Sequence, residues 1–422
     1  MSASFKNTQA YALTLDSKDP LRSFRNRFHF PKQKNGKHCV YLCGNSLGLQ
    51  PKSTRAYIEQ ELKDWEHYGV EGHFHAKTPW VAFHEYLAEK TARLVGAKTT
   101  EVINMNSLTV NLHLMMVSFY RPTGKRHKIM IEQSAFPSDQ YAVASQIRFH
   151  GFDPKRSLIE MKPRIGEDII RTEDIEKVLA KEGNSIALAL FGGVNYYTGQ
   201  AFDIPRITKA AHARGCVAGF DLAHAAGNII LKLHDWNVDF AVWCTYKYLN
   251  AGPGSIAGCF VHERHLQNKT LPRFAGWWGH DKGTRFLMGP EFRPIPTAEG
   301  WQLSNPPIFQ LAALNASLEI FEKAGMKALR KKSEQLTAYM DFLIGELGNR
   351  HISVITPFVP EARGCQLSIR FGQNAKKIFK ALIRNNVICD WREPDVIRVA
   401  PVPLYNSFQD VYTFVQILKR YL

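Results

Sequence analysis

The 422-residue chain has no run approaching about 18 uninterrupted apolar residues, so a membrane-spanning helix is not expected. Its start, MSASFKNTQAYALTLDSKDP, has no basic stretch leading into an apolar one, and no secretory signal is expected. Cysteine is sparse: seven are scattered, without a C-x-x-C, and Cys39 and Cys43 form the closest pair. That excludes a disulfide framework and points to a reduced, cytoplasmic compartment with small core cysteines. The closest histidine pairs, His73/His75 and His262/His265, lack the H-E-x-x-H arrangement, so no metal is expected. There is no internal repeat and no low-complexity block. Acid is in deficit, with 38 Asp and Glu against 54 Lys and Arg, a formal charge of +16. Such a balance can serve nucleic acid. Here the denser basic stretches, residues 22–38 and 327–334, show no base-reading pattern of aromatics and read as solvated surface. No nucleic-acid or membrane partner is expected. A cationic excess would instead draw in a small anionic ligand.

What is present is an alternation of apolar runs and helical patterns. KIMIEQ (128–133), SLIEM (157–161), SIALALFGG (185–193), CVAGFD (216–221), VDFAVWCT (238–245) and SIAGCFVH (255–262) read as strands. Between them, 137–148, 172–183 and 203–215 read as helices, the last with proline near its start and glycine just past its end. Continuous apolar strands joined by helices predict an α/β fold with a mostly parallel sheet covered on both faces. Helices are expected at 52–68 and 80–95 before this block, and near 307–323 and 325–347 after it. The remainder mixes strands and helices as a smaller α+β domain. The division expected is an N-terminal arm and helix (1–70) associated with the small domain, a large domain (71–309) and a small C-terminal domain (310–422).

Two charged residues stand at the ends of buried strands. Asp221 closes CVAGF, and Lys247 follows VDFAVWCTY. In open α/β sheets ligands bind beyond the carboxyl ends of the strands. A lone carboxylate in such a crevice needs a cationic partner, and a lysine there is a good imine-forming amine. Pyridoxal phosphate needs both, an aspartate for its ring nitrogen and a lysine for its aldehyde. Its phosphate would suit the free N–H groups at the start of SLTVNLHLMMVSFY (107–120), with the Thr109 hydroxyl beside them. Phe136 in SAFPSD could cover the ring. Singly, Asp221 reads as a turn residue, Lys247 as surface and Phe136 as core; in this order along the chain they read as one site. A dinucleotide reading of AGPGSIAG (251–258) fails, because the glycines are misspaced and precede a strand.

Beyond these features the whole chain resembles the kynureninase family. The resemblance rests on YLCGNSLGLQP (41–51), SLTVNLH (107–113), AFPSDQYA (135–142), YYTGQ (196–200), GFDLAHAAGN (219–228), CTYKYLNAGPGSIAG (244–258), GWWGH (276–280), LSNPP (303–307) and IRVAPVPLYNS (397–407). It implies pyridoxal-phosphate fold type I and hydrolytic Cβ–Cγ cleavage of L-kynurenine or its 3-hydroxy form to alanine and an anthranilate. It implies Lys247 as the Schiff-base lysine, Asp221 at the pyridine nitrogen and His224 near the ring oxygen. Phe136 would stack on the ring; Leu108, Thr109 and Tyr246 would hold the phosphate; Ser138 and Asp139 would complete the cofactor shell. Tyr246 is a candidate proton carrier. Trp277 and Asn305 would complete the site across a homodimer interface. Arg398 would grip the substrate α-carboxylate, and His73 and Ser304, with Asn305, would line the aromatic end. His73 and Asn305 favour the 3-hydroxy substrate. Gly192 departs from relatives that carry serine there. The rival readings are another fold-type-I enzyme, such as a cysteine desulfurase or an aminotransferase, and a basic nucleic-acid-binding protein.

Overall fold

The apolar runs fold as expected because each is short, β-branched or aromatic and bounded by turn residues. The computed structural model describes residues 5–422. A two-residue strand, β1 (Val40–Tyr41), precedes the main sheet. The sheet comprises β2 (Val102–Asn104), β3 (Lys128–Glu132), β4 (Leu158–Met161), β5 (Ile186–Gly192), β6 (Val217–Asp221), β7 (Phe240–Trp243) and β8 (Gly258–Val261). Their spatial order is β2-β8-β7-β6-β5-β3-β4. The five strands from β7 to β4 are parallel, and β8 alone runs against its neighbours. No helix intervenes between β7 and β8, so the chain folds straight back, and that return loop carries Lys247.

Side-chain alternation divides the core into two layers. Ile129, Ile131, Leu188, Leu190, Phe240 and Val242 face the helices Leu108–Phe119 and Pro137–Phe149. Met130, Ala189, Phe191, Phe220, Ala241 and Trp243 face the opposite layer, built from Phe83–Val95, Thr172–Glu182, Ile204–His212 and Ile308–Ala324. The helix Ile204–His212 starts where Asp203 accepts a hydrogen bond from the Arg206 N–H at 3.1 Å, with Pro205 in its first turn. Two glycines make room for aromatics of β7. A Cβ on Gly258 would lie 2.1 Å from the Trp243 indole, and one on Gly219 would lie 2.2 Å from the Phe240 ring.

The rest of the chain forms a third core. The strands β9 (Ser353–Val354), β10 (Leu367–Arg370), β12 (Asp390–Arg392) and β13 (Val396–Val399) make an antiparallel sheet in the order β12-β13-β10-β9. β11 (Val387–Ile388) pairs in parallel with β1. The helices Met326–Gly345, Ala375–Arg384 and Phe408–Lys419 cover this sheet. No helix among the described residues is long and apolar enough to cross a membrane.

The first 70 residues serve both bodies. The helix Gln9–Lys18 packs on Phe408–Lys419, where Asp16 accepts from the N–H groups of Phe408 and Gln409 at 2.7 and 3.0 Å. The helix Thr54–Tyr68 instead packs on Ile308–Ala324. One expectation is corrected. The basic stretch 327–334 is not simply solvated: Lys332 is buried and pairs with Asp19 at 2.8 Å, and Arg330 is buried against the Pro360 carbonyl and Glu334. In the other basic stretch, Arg25 pairs with Asp410 at 2.5 Å and lies over the Phe30 ring. In residues 327–334 the helix turns one face inward, where desolvation drives the Lys332 ammonium below its usual range. Removing one partner of a buried pair strands the other charge. Asp19→Ala is therefore expected to cost about 3 kcal/mol in urea unfolding, and Asp19→Ala combined with Lys332→Met to recover most of it.

Candidate active site

Asp221 is the last residue of β6, and its carboxylate accepts from the Ala223 N–H at 2.7 Å. Lys247 lies in the loop after β7, held by Tyr246 and Lys247 carbonyls that accept from the N–H groups of Gly48 and Asn250. Its Nζ is 3.2 Å from His224 Nε2 and 5.5 Å from the centre of the Phe136 ring. Both charged residues are over nine-tenths buried and open onto one cavity. Leu108, Thr109, Phe136, Ser138, Asp139, His224 and Tyr246 line the same cavity. The structure thus brings nine of the sequence candidates together.

The helix expected at 107–120 runs from Leu108 to Phe119. Ser107 caps the helix Leu108–Phe119 in an extended conformation without a side-chain bond to it. The Thr109 and Ser138 hydroxyls meet at 2.7 Å beside that helix start. Free N–H groups and two hydroxyls at a helix N-terminus suit an anion.

Five candidates lie outside the cavity. Arg398 stands just behind it, buried, donating from Nη1 to the Tyr196 carbonyl at 2.6 Å and pairing through Nη2 with Asp390. Trp277 is 43% exposed and donates to the Arg285 carbonyl at 3.1 Å. Ser304 and Asn305 are exposed on a loop. His73 is half-buried, edge-on to Trp80. A single chain does not gather these last four with Lys247.

Four cavity residues escaped the sequence reading, the apolar Val194 and Ala223 and the polar Glu132 and Tyr196. Glu132 ends β3 as Asp221 ends β6, an acid closing the apolar run KIMI. The same pattern would have found it. Its carboxylate accepts from the Gly192 N–H at 3.1 and 3.2 Å, and a Cβ on Gly192 would lie 2.9 Å from its Oε1. The lack of a side chain at Gly192 leaves this carboxyl its room. Tyr196 follows β5 and sets its ring edge-on to Phe136 at 5.3 Å.

Three carboxyls therefore share one buried corner. Burial pushes Glu132 up to about 7, with the charge of Asp221 adding to the effect. Burial also raises Asp139 well above the carboxylate range, again with Asp221 adding. Burial raises Asp221 too, while the Ala223 N–H and the Lys247 charge oppose the rise. Desolvation, helped by Lys247 and Arg398, drives His224 well below its usual value. Burial raises the Tyr246 phenol, which keeps its proton at neutral pH. Asp139 Oδ1 and His224 Nδ1 are buried without partners. A corner rich in acid, two unpartnered polar atoms, a buried amine and an anion-ready helix start fit the groups of pyridoxal phosphate.

The fold agrees. A cysteine desulfurase from Thermococcus onnurineus NA1 superposes with a TM-score of 0.74 at 17% identity, over 90% of this chain and 94% of its own. The C-DES mutant K223A, described with glycine covalently linked to its PLP cofactor, gives 0.77 at 14%, over 93% and 98%. The chain has the architecture of the pyridoxal-phosphate enzymes of fold type I.

Sequence comparison narrows the class. A family model, the kynureninase C-terminal domain, matches residues 329–418. The kynureninase of Koribacter versatilis is 61% identical, covering 98% of this chain and 98% of its own length. That of Myxococcus xanthus is 60% identical, covering 98% and 97%, and that of Nematostella vectensis is 52% identical, covering 98% and 93%. The chain belongs to the kynureninase family.

The acid corner has a measurable consequence. Glu132 binds its proton more tightly in the folded protein than in the unfolded chain. In the cofactor-free protein its contribution is full below about pH 4.5 and is lost as pH rises through about 7. Glu132→Gln is expected to remove a loss of about 3 kcal/mol between pH 5 and pH 8, read by urea unfolding of cofactor-free protein.

Proposed function

We propose a division of labour among the cavity residues. As a member of the kynureninase family the chain hydrolyses the Cβ–Cγ bond of kynurenine, or of 3-hydroxykynurenine, to L-alanine and an anthranilate, with pyridoxal phosphate as cofactor. The observation that carries this reading is the buried Lys247 amine, facing the same cavity as Asp221 and the helix start at Leu108. When bound, the cofactor supplies an aldehyde for amines and a ring that withdraws electrons from the bonds at the substrate Cα.

The chain's own residues do the rest. Asp221 would hold a proton at the pyridine nitrogen, supported by Asp139, with His224 near the ring oxygen. Phe136 would cover the ring. Leu108 through its main chain, with Thr109, Ser138 and Tyr246, would hold the phosphate. Lys247 would hold the aldehyde and take the substrate Cα proton at Nζ. The Tyr246 phenol, kept neutral by burial, delivers a proton to the reacting region while water attacks the γ-carbonyl. Arg398 grips the α-carboxylate with its planar guanidinium.

Trp277 and Asn305, with Ser304 beside Asn305, act from a second copy in a homodimer, and His73 lines the aromatic end. The exposed setting of Trp277, Ser304 and Asn305 in one chain supports the second copy. So does the apolar surface beside them, which includes Phe286, Leu287 and Phe309. His73 and Asn305 favour the 3-hydroxy substrate by hydrogen bonding its hydroxyl. The proposed division is an arm (1–70), a large domain (71–309) and a small domain (310–422), with the helix Ile308–Ala324 crossing the second boundary to pack in the large core, and the enzyme is cytoplasmic. A desulfurase reading lacks its nucleophile: six cysteines are buried and Cys43 is half-buried.

Purified protein supplied with pyridoxal phosphate should release alanine and fluorescent anthranilate from kynurenine, and neither product should form with Lys247→Ala. Asp221→Ala should lower kcat at least a hundredfold, about 2.7 kcal/mol in the barrier; full turnover would remove its role. Mixing inactive Lys247→Ala with the impaired Asn305→Ala should give more activity than the two variants show separately, because one site of the hybrid is intact. No gain from that mixture would place Asn305 in its own subunit's site. Apolar replacement of both His73 and Asn305 should shift the ratio of kcat/KM values toward kynurenine.

A further inference from the structure

Residues 195–200 leave β5 and run beneath the C-terminal sheet. Asn195 bends this loop by accepting, through Oδ1, from the N–H groups of Tyr197 and Thr198, both at 3.0 Å. The bend turns three successive carbonyls toward side chains of the C-terminal body. The Thr198 carbonyl accepts from Thr356 Oγ1 at 2.6 Å, and that of Tyr197 from Ser368 Oγ at 2.5 Å. The Tyr196 carbonyl accepts twice, from Gln366 Nε2 at 3.0 Å and from Arg398 Nη1 at 2.6 Å.

The donors form one network. Thr356 Oγ1 accepts from the Ser368 N–H at 2.8 Å, and Gln366 Nε2 also reaches Ser368 Oγ at 3.0 Å. Ser368 and Arg398 stand opposite each other on β10 and β13. All four donors are buried, none more than 5% exposed. A second contact joins the loop to the cavity, since the Tyr196 ring meets Phe136 edge-on while Arg398 lies 5.9 Å from its centre.

We propose that this three-carbonyl clasp fixes Arg398 relative to Lys247, and that Thr356 and Gln366 are positioning residues for recognition of the substrate α-carboxylate. The inference rests on reading Arg398 as the carboxylate-binding residue. Arg398 sits on the C-terminal sheet and Lys247 on the loop after β7, so their separation depends on how the two bodies are joined. The Tyr196 carbonyl is bonded to Arg398 directly, and its neighbours hold that carbonyl in place. Backbone acceptors in a bent loop cannot follow a moving partner, so losing a donor loosens the arginine.

Calorimetric titration of the holoenzyme with L-alanine and with L-alaninamide, which lacks the carboxylate, tests the clasp. Thr356→Val and Gln366→Met should each weaken alanine binding roughly tenfold, the effect of one lost buried hydrogen bond, and leave alaninamide binding unchanged. KM for kynurenine should rise with kcat nearly constant. Ser368→Ala removes the bond to the Tyr197 carbonyl and the acceptor of Gln366 Nε2, and should give a loss of the same kind, which keeps the test open if either of the other changes prevents folding. An equal loss for both ligands would mean a general structural role and overturn the proposal. Arg398→Ala separates the two readings. If it abolishes the preference for alanine over alaninamide while the clasp variants keep wild-type affinities, the clasp fails and the role of Arg398 stands. If Arg398→Ala leaves that preference intact, both fail.

Discussion

The structure depends on one costly arrangement, three carboxyl groups and one amine buried in the same corner of a parallel sheet. Moving a carboxylate out of water is expensive unless a charge or donors replace the water. Glu132 has the Gly192 N–H, Asp221 has the Ala223 N–H, and Lys247 supplies the cation nearby. The replacement is incomplete, because Asp139 Oδ1 and His224 Nδ1 have no partner. A bound protonated ring would complete it. The corner costs folding energy and gives in return a site whose charges are already placed.

The placement comes from the sheet. Parallel strands buried on both faces cannot slide without exposing alternate side chains, so the ends of β3 and β6 hold their acids at fixed positions. Lys247 owes its position to the missing crossover between β7 and β8, where the chain turns back instead of building a helix. The surplus of +16 belongs to the whole surface and favours approach of an anionic cofactor or an amino-acid substrate.

The large sheet was legible because its strands are continuous apolar runs, and Asp221 and Lys247 were legible as charges closing such runs. Leu108 and Thr109 were visible from the helix start. Glu132 carried the same signal as Asp221, an acid closing a short apolar run. Tyr196 was hidden for a different reason: it acts on Arg398 through its carbonyl, a group every residue has. Lys332 and Arg330 were misread because a dense basic stretch gives no sign of which helix face turns inward. Trp277, Ser304, Asn305 and His73 came from family resemblance alone, and nothing in their local sequence marks them.

The account stands on Lys247 as the amine that takes the cofactor. Incubating the protein with pyridoxal phosphate, reducing with borohydride and mapping the modified peptide by mass spectrometry measures this directly. One label per chain on the peptide containing Lys247 is the predicted result, with its loss in Asp221→Ala showing up as weaker uptake. A label on a surface lysine, with Lys247 unmodified, would contradict it.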